Sequence, residues 1–391
     1  MPKKKNRLRY CCRHKNRWQS QKFYKKENLM KIIHCADLHL DSKLISVLGK
    51  EKASERKNEL LNAFTGMVSY AANAGVKAVL IAGDMFDVKN ISKKTKNVVL
   101  DTLRANPEIN FYYLKGNHDK NNFLEGEENV PENLKMFTRT WTSYDEGNIC
   151  ISAAELDAEN AGGIYDGLVP DPKRFNIVML HGQEVKAKGS KEINIEIKRL
   201  KNKGIDYLAL GHVHEYKRKQ LDARGIYCYS GCLEGRGFDE CGRHGFVMLD
   251  IDEESGKFTD EFIPFAKRSI YEVTTDVSGL ESSIQMADAA ARALKEAGCT
   301  SKDMVKIVLT GAVTADAEKD PEFINSFFEK EYYLARTEDK TTIKVNEADY
   351  MYDESLKGEF VRLVMADEEL SDEDKGTVIS YGLKALAGEE I

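Results

Sequence analysis

Five short polar motifs, each directly after an apolar run, constrain this chain more than any other feature of its sequence. The motifs are Asp37-Leu38-His39, Gly83-Asp84-Met85-Phe86-Asp87, Gly116-Asn117-His118-Asp119, His181-Gly182 and Gly211-His212-Val213-His214. They contain five of the eight histidines of the chain. Short apolar runs predict buried strands, and functional side chains collect where such strands end. We therefore expect the five motifs to converge on one site.

The segments around the motifs have the pattern of an α/β fold. The predicted strands are residues 31–35, 77–82, 111–114, 176–180, 206–210 and 226–229. Helices alternate with them: one has an apolar face over residues 60–71, a second begins after Ser92, and a third spans 191–203. This alternation predicts a layered α/β domain over residues 30–265.

The composition shifts near residue 265, and the rest of the chain predicts a smaller second unit. The predicted strands there are 269–277, 304–313 and 341–345, and the predicted helices are 280–297, 321–331, 355–367 and 371–387. We assign residues 266–350 to a small α/β domain and residues 351–391 to a C-terminal helical pair. Ser371 and Asp374 have the spacing of an N-terminal cap for the last helix.

The charge of the chain is uneven. Residues 1–29 contain eleven Lys or Arg and one acid, whereas the other 362 residues contain 47 basic and 63 acidic side chains. We predict a disordered extension for 1–29, with a nucleic-acid-binding arm as the alternative. Residues 185–220 hold ten Lys or Arg and four acids. This stretch suits a phosphate backbone, although a solvated helix face would have the same composition.

The cysteines and the hydropathy indicate a cytoplasmic protein. Eight cysteines are scattered without paired metal-ligand spacing, which is typical of reduced thiols. No apolar run approaches the roughly 20 residues that cross a bilayer, and the first residues lack a secretory apolar core. We expect no membrane segment.

The residue types in the motifs predict a metal site. Positions i and i+2 of an extended chain point the same way, so Asp37 can act with His39, and His212 with His214. Carboxylate, imidazole and amide donors together suit Mn²⁺, Fe²⁺ or Zn²⁺ better than Mg²⁺ or Ca²⁺. A single D-x-H pair is weak evidence for a metal site. The presence of all five motifs, each after an apolar run, favours a metal site over structural roles for these residues.

In this order the motifs resemble the series D-x-H, GD-x-x-D, GNHD, H-G and GH-x-H of the calcineurin-like metallophosphoesterases, over about residues 30–245. The resemblance implies a four-layer β-sandwich flanked by helices, and two divalent ions, with Mn²⁺ expected and Fe²⁺ or Zn²⁺ as alternatives. It assigns one ion to Asp37, His39 and His214 and the other to Asn117, His181 and His212, with Asp84 bridging both.

The resemblance also implies a mechanism. Two ions lower the pKa of a bound water, and the resulting hydroxide attacks phosphorus in line. His118 would contact the scissile phosphate and stabilise negative charge or protonate the leaving oxygen. We expect Asp87 to support the site from behind the ligands. Asp119 either orients His118 or stabilises the turn.

Within the superfamily, the sequence resembles the SbcD-type DNA repair exonucleases. Residues 34–42 (HCADLHLDS) and 82–87 (AGDMFD) are similar to their opening motifs. Residues 227–251 resemble the later Y-x-G-S…F-x-E…KG stretch through Tyr229, Gly231, Phe238, Glu240 and Gly245. Two departures, Ser230-Gly231-Cys232 for Pro-Gly-Ser and Arg243-His244 for Lys, indicate a divergent bacterial subgroup.

This branch implies a DNA exonuclease or endonuclease subunit with an SMC-like coiled-coil ATPase partner of the SbcC type, and it allows a homodimer. Residues 266–350 would cap the site, and residues 351–391 would dock on the ATPase, although helices that only close a core would look the same. Two alternatives stay open. One is a small-molecule or nucleotide phosphodiesterase or phosphatase without an ATPase, and the other is a non-catalytic adaptor.

Overall fold

The computed structural model describes residues 29–87, 91–119, 123–184, 194–314, 317–344 and 350–387. The predictions made for the basic segment 1–29 therefore lie outside the described residues, apart from Leu29. The chain forms two compact units that divide between Ser269 and Ile270. Within the described ranges, no helix is both long enough and apolar enough to cross a membrane.

The first unit is built on two large sheets. Its strands are β1 (Leu29–Cys35), β2 (Ala78–Ala82), β3 (Asn110–Leu114), β4 (Leu134–Met136), β5 (Thr142–Glu146), β6 (Ile149–Ala153), β7 (Phe175–His181), β8 (Gln183–Glu184), β9 (Asn194–Ile195), β10 (Tyr207–Gly211), β11 (Lys217–Gln220), β12 (Ile226–Tyr229), β13 (Gly245–Asp252) and β14 (Phe258–Pro264). Its helices are α1 (Ile45–Ala74), α2 (Lys93–Arg104), α3 (Ile197–Leu200) and a 3-10 turn at Ile164–Gly167. One sheet has the order β14-β13-β1-β2-β3-β4 and the other β11-β12-β10-β7-β6-β5, while β8 pairs with β9.

The two sheets pack face to face. Ile32 and Leu80 of one sheet share a buried core with Ile177 and Ala209 of the other. The outer face of the first sheet is covered by α1 and α2, and that of the second by the 3-10 turn and α3. Strands buried on both faces are apolar over most of their length, which explains why their runs are visible in the sequence. The predicted α/β sandwich is confirmed.

The strand directions place one end of each sheet at a common edge. β1 pairs in parallel with β2, β2 with β3, and β7 with β10. On its other side β1 pairs antiparallel with β13, so that Ile32 lies opposite Leu249. The motifs that follow β1, β2, β3, β7 and β10 therefore leave the sheets on the same side.

The second unit has a three-stranded parallel sheet of order β15-β16-β17. Its elements are β15 (Ile270–Asp276), α4 (Ser283–Ala297), β16 (Met304–Thr314), α5 (Pro321–Phe328), β17 (Leu334–Lys344), α6 (Leu356–Met365) and α7 (Asp372–Ala387). α4 and α5 form a core with the sheet, and α6 packs on α7 through Val361, Ile379 and Leu383. The predicted cap of α7 is confirmed, since Asp374 N donates to Ser371 Oγ at 3.2 Å.

Two sequence predictions differ from the structure. The helix expected at 191–203 is wrong over its described part, which contains only β9 and the single turn α3. The last strand of the sheet begins at Leu334 rather than at Thr341. Its early part is polar, because Glu338 and Asp339 form ion pairs with Lys306 and Lys319, and therefore has no apolar periodicity.

Candidate metal centre

The candidate ligands lie where the parallel strands of the two sheets end. The loops after β1 and β2 are joined by hydrogen bonds from Asp37 N to the Gly83 carbonyl oxygen and from His39 N to the Asp84 carbonyl oxygen, both 3.0 Å. In the other sheet, His181 ends β7 and is paired with Gly211 at the end of β10. The structure brings the five sequence motifs together at this edge.

The first donor group consists of Asp37, His39 and His214. The Nε2 atoms of His39 and His214 are 3.1 Å apart, and His214 Nε2 is 4.0 Å from Asp37 Oδ1. His39 Nε2 is also 4.0 Å from Asp84 Oδ2. Donors about 2.1 Å from a shared ion are separated by roughly 3–4 Å. These four side chains therefore have the spacing of ligands to one ion.

The second donor group consists of Asp84, His181 and His212, with the amide of Asn117 between the two imidazoles. Asn117 Oδ1 is 3.0 Å from His181 Nε2 and 3.0 Å from His212 Nδ1. Asp84 Oδ2 is 3.3 Å from His181 Nε2. Asp84 Oδ2 therefore faces a donor atom of each group, as the carboxylate of a bridging ligand would.

The backbone and the electrostatics of these residues fit divalent ions. Asp37, His39, Asp84 and His212 all have a positive φ, of 52°, 44°, 51° and 93°. Such backbone strain in non-glycine residues is maintained at functional sites, where the surrounding structure enforces it. Burial alone would lower the pKa of His181, but the carboxylate of Asp84 raises it to about 9. The site thus favours positive charge, as a pair of bound cations would supply.

Two of the flanking glycines allow the close approach that the site needs. Gly83 has a φ of 97°, and a Cβ there would collide with the imidazole ring of His181. A Cβ at Gly116 would collide with the carboxylate of Asp84. A side chain at either position would displace a ligand candidate, which explains the Gly-Asp and Gly-Asn pairs of the motifs.

His118 lies beside the first donor group and is held by Asp87. Its Nδ1 is 2.7 Å from Asp87 Oδ1, and Ser42 Oγ donates to Asp87 Oδ2 at 2.6 Å. The hydrogen bond that the ring donates to Asp87 raises the pKa of His118, against the effect of burial. The rings of His118 and His39 meet edge to face, with centroids 5.1 Å apart. Asp87 therefore orients His118 and favours its protonated form.

Asp119 joins two motif loops to each other. Its buried carboxylate accepts hydrogen bonds from the N–H groups of Met85 (3.2 Å), Phe86 (2.9 Å) and Gly116 (2.9 Å). These contacts are to the backbone rather than to the His118 ring. Burial raises the pKa of Asp119 to about 6. Of the two roles considered for Asp119, the geometry supports the stabilisation of the loops.

The sequence motifs omit two charged residues that the structure places beside the ligands. Glu240 Oε1 is 2.7 Å from His214 Nδ1, on the opposite side of the ring from the donor atom Nε2. Arg236 Nη2 is 2.7 Å from the same carboxylate oxygen. Glu240 had a signal in the F-x-E pattern. Arg236 had none, because neither its spacing nor its neighbours separate it from a surface arginine.

Comparisons with known proteins agree with this geometry. Residues 30–216 match the calcineurin-like phosphoesterase family. The chain is 29% identical over 303 residues to the uncharacterized metallophosphoesterase YhaO of Bacillus subtilis, a match that covers 71% of this chain and 71% of that protein. It is 25% identical over 215 residues to the DNA double-strand break repair protein Mre11 of Sulfolobus acidocaldarius, with 52% and 54% covered. Among solved structures, TT1561 of Thermus thermophilus has a TM-score of 0.40 at 13% identity and covers 60% of this chain and 99% of that chain.

Residues 30–216 are thus similar to the calcineurin-like phosphoesterase family, and the chain is similar at low identity to YhaO and to Mre11 proteins. The two donor groups supply candidate ligands for metal ions.

Proposed function

We propose that this protein is a two-metal phosphodiesterase that cleaves DNA, as the nuclease subunit of a DNA repair complex of the SbcD type. The observation that carries the proposal is the position of His118. Its side chain is 46% exposed, lies against a ligand of the first donor group and is oriented by Asp87. A protonated imidazole at the open side of two cation sites is suited to contact a phosphodiester.

The chemistry follows from these positions. Two divalent ions, which we propose to be Mn²⁺, would polarise the phosphate and supply a hydroxide near neutral pH. His118 donates a hydrogen bond or a proton to a phosphate oxygen, and Asp87 keeps the ring charged and aligned. Asp119 fixes the loop that carries His118 relative to the loop that carries Asp84 and Asp87.

Relatives and charge support DNA as the substrate. The relatives include proteins named DNA double-strand break repair protein Mre11. A cleft of about 350 Å³ is lined by Gln183, Val213, Lys217 and Lys219, among others. Gln183 and Val213 are each within two residues of a ligand candidate in the sequence. Lysines that line a cleft suit contacts with a phosphate backbone.

Acids beside these cations limit the DNA affinity that the chain supplies alone. Lys219 Nζ is 2.8 Å from Glu184 Oε2, and Arg218 forms two hydrogen bonds with the carboxylate of Asp260. We therefore propose that an SMC-like coiled-coil ATPase of the SbcC type supplies much of the contact with DNA, with residues 266–350 as a capping domain.

The C-terminal helical pair is the proposed docking segment for that ATPase. Leu356 and Leu363 of α6 are 67% and 68% exposed, and Tyr381 of α7 is 53% exposed. Large apolar side chains at this exposure suit the apolar stripe of a coiled coil. A homodimer formed through the first unit is a further proposal of the same kind.

The same ion pairs favour a second candidate, a small-molecule or nucleotide phosphodiesterase without an ATPase. A cleft whose cations are already paired suits a substrate with one or two phosphates better than a long polyanion. The metal centre would act in the same way in both cases.

Cleavage of labelled single- and double-stranded DNA with Mn²⁺, by the wild type and by His118→Ala, tests the proposal. We expect degradation by the wild type that disappears in the variant. Bis-p-nitrophenyl phosphate serves as a parallel substrate. Hydrolysis of that diester with intact DNA, also after addition of a coiled-coil ATPase encoded nearby, would reject the nuclease in favour of the small-molecule enzyme.

A further inference from the structure

Arg236 lies between two carboxylates that each orient a histidine of the site. Its Nε and Nη2 atoms donate to Glu240 Oε1 at 3.0 and 2.7 Å, and its Nη1 atom is 3.5 Å from Asp87 Oδ2. Glu240 contacts His214, and Asp87 contacts His118, each at 2.7 Å. One guanidinium therefore connects a metal-ligand candidate with the residue proposed to contact phosphate.

The positions of the two carboxylates depend on the positive charge of Arg236. The side chain of Arg236 is only 18% exposed, and that of Glu240 is 3% exposed. Glu240 and the mostly buried Asp87 both face this guanidinium, and each carboxylate would move if the charge between them were lost. A planar guanidinium can contact both at once, whereas an ammonium has a single charged centre.

The loop that carries Arg236 is fixed from both ends. Fully buried Arg56 donates to Glu234 Oε1 at 3.0 Å and to the carbonyl oxygen of Gly235, the residue before Arg236. At the other end, His244 Nε2 is 2.8 Å from the Glu240 carbonyl oxygen, and its Nδ1 is 3.2 Å from Cys232 Sγ. Cys232 and His244 belong to the two stretches, Ser230-Gly231-Cys232 and Arg243-His244, in which the sequence departs from the SbcD pattern.

We propose that Arg236 is a positioning residue that sets the imidazole of His214 through Glu240 and that of His118 through Asp87. The inference rests on the proposed phosphodiesterase activity only for its second half, because the contact with His214 concerns metal binding alone. Arg236 thus couples the strength of the first metal site to the alignment of the phosphate-contacting histidine.

The test compares Arg236→Gln, Arg236→Lys and Glu240→Gln with a matched control, Arg224→Gln. Arg224 also binds one carboxylate through two nitrogens, at 2.8 Å each to Asp206, but it is not in the metal centre. Three quantities are measured for each chain: Mn²⁺ affinity from the electron paramagnetic resonance signal of free Mn²⁺, kcat and KM for bis-p-nitrophenyl phosphate, and the melting temperature.

We expect Arg236→Gln to weaken binding of one Mn²⁺ by about 10-fold or more, as loss of a group that orients a ligand does. Its kcat should fall further than its KM changes. Glu240→Gln should weaken Mn²⁺ binding similarly with a smaller effect on kcat. Arg236→Lys keeps the positive charge but loses the planar guanidinium that contacts both carboxylates. Its Mn²⁺ affinity should be within about threefold of the wild type, whereas its kcat should recover to a smaller extent.

The proposal would be overturned if Arg236→Gln bound Mn²⁺ as tightly as the control variant Arg224→Gln does. So would a loss that Arg236→Lys shows to the same extent, since that pattern indicates a folding defect. If Arg236→Gln does not fold, Arg236→Lys and Glu240→Gln still decide the result. If the wild type cleaves no phosphodiester, the proposed function fails, and the Mn²⁺ affinities still separate a positioning residue from a structural one.

Discussion

Polar side chains have different surroundings in the two units. In the first unit, His39 and Asp84 are at most 1% exposed and face each other from the loops after β1 and β2. In the second, Lys306 forms ion pairs with Glu272 at 3.0 Å and Glu338 at 2.7 Å across the parallel sheet. Among the described residues, every group that could hold a metal ion lies in the first unit.

The difference shows how polar side chains of a functional site can be distinguished from polar side chains that are only exposed to solvent. Buried polar side chains are tolerated only when partners or ions compensate their desolvation, and at the metal centre many donors of one kind face each other. In the three-stranded sheet of the second unit, Lys306 and Lys340 have acidic partners, and water reaches these partly exposed side chains. The first arrangement suits bound cations, whereas these ion pairs are already balanced.

The largest effect that this comparison predicts is that of Asp84→Asn. Because the carboxylate faces both donor groups, its loss should lower kcat for bis-p-nitrophenyl phosphate by about 10³-fold or more and reduce the number of Mn²⁺ ions bound. Metal counting with steady-state kinetics checks this. Glu338→Gln in the second unit is the control, and a variant Asp84→Asn that still binds two ions would contradict the bridging assignment.

His118→Ala should lower kcat by about 10²-fold and leave Mn²⁺ binding unchanged, because we propose that its ring contacts substrate rather than metal. The same kinetic and metal-binding measurements apply. Loss of an ion in this variant would place His118 among the ligands instead.

Arg56→Met should have the largest effect on stability. Arg56 is fully buried and pairs with Glu59 and Glu234. Removing one partner of a buried ion cluster costs about 3–5 kcal/mol, since the remaining charges are left uncompensated. Urea unfolding followed by circular dichroism measures the change. A decrease in the free energy of unfolding of less than about 1 kcal/mol would show that this buried cluster contributes no more than a solvent-exposed ion pair.

Glu59 should make stability depend on pH. Although burial opposes the effect, Arg268, Lys267 and Arg56 lower the pKa of Glu59 from 4.5 to about 2. A lowered pKa stabilises the folded state above the unfolded value of 4.5, and that stability, on the order of 3 kcal/mol, is lost as the pH falls from 4.5 toward 2. Comparing Glu59→Gln with the wild type from pH 6 to pH 3 tests the sign, because their difference in unfolding free energy must shrink in acid.

The smallest effect on stability is expected in the three-stranded sheet of the second unit. Lys306→Gln should change the free energy of unfolding by less than about 1 kcal/mol and leave kcat unchanged, since partly exposed ion pairs contribute little. The urea experiment used for Arg56 gives the comparison directly. A loss as large as that of Arg56→Met would mean that solvent access does not distinguish the two clusters.

The sequence predicted those parts of the fold that have a local apolar signature. Strands buried on both faces, such as β1 and β7, and capped helices such as α2 after Ser92 are visible in a single chain. The ligand candidates were visible too, since each follows such a strand. The polar start of β17 has no apolar period, so its beginning was missed. Arg236 was missed because its role depends on Asp87, a residue far away in the sequence.

The position of β1 in its sheet has a consequence for biosynthesis. β1 pairs with β13, more than two hundred residues later, as Ile32 opposite Leu249 shows. At about 5–20 residues per second, a ribosome needs on the order of ten seconds or more to supply that partner. Until then one apolar edge of the nascent chain is open, and contacts at such sequence separation form slowly. We therefore expect folding of the first unit to be completed late in translation, and to depend on chaperones that cover this edge in the meantime.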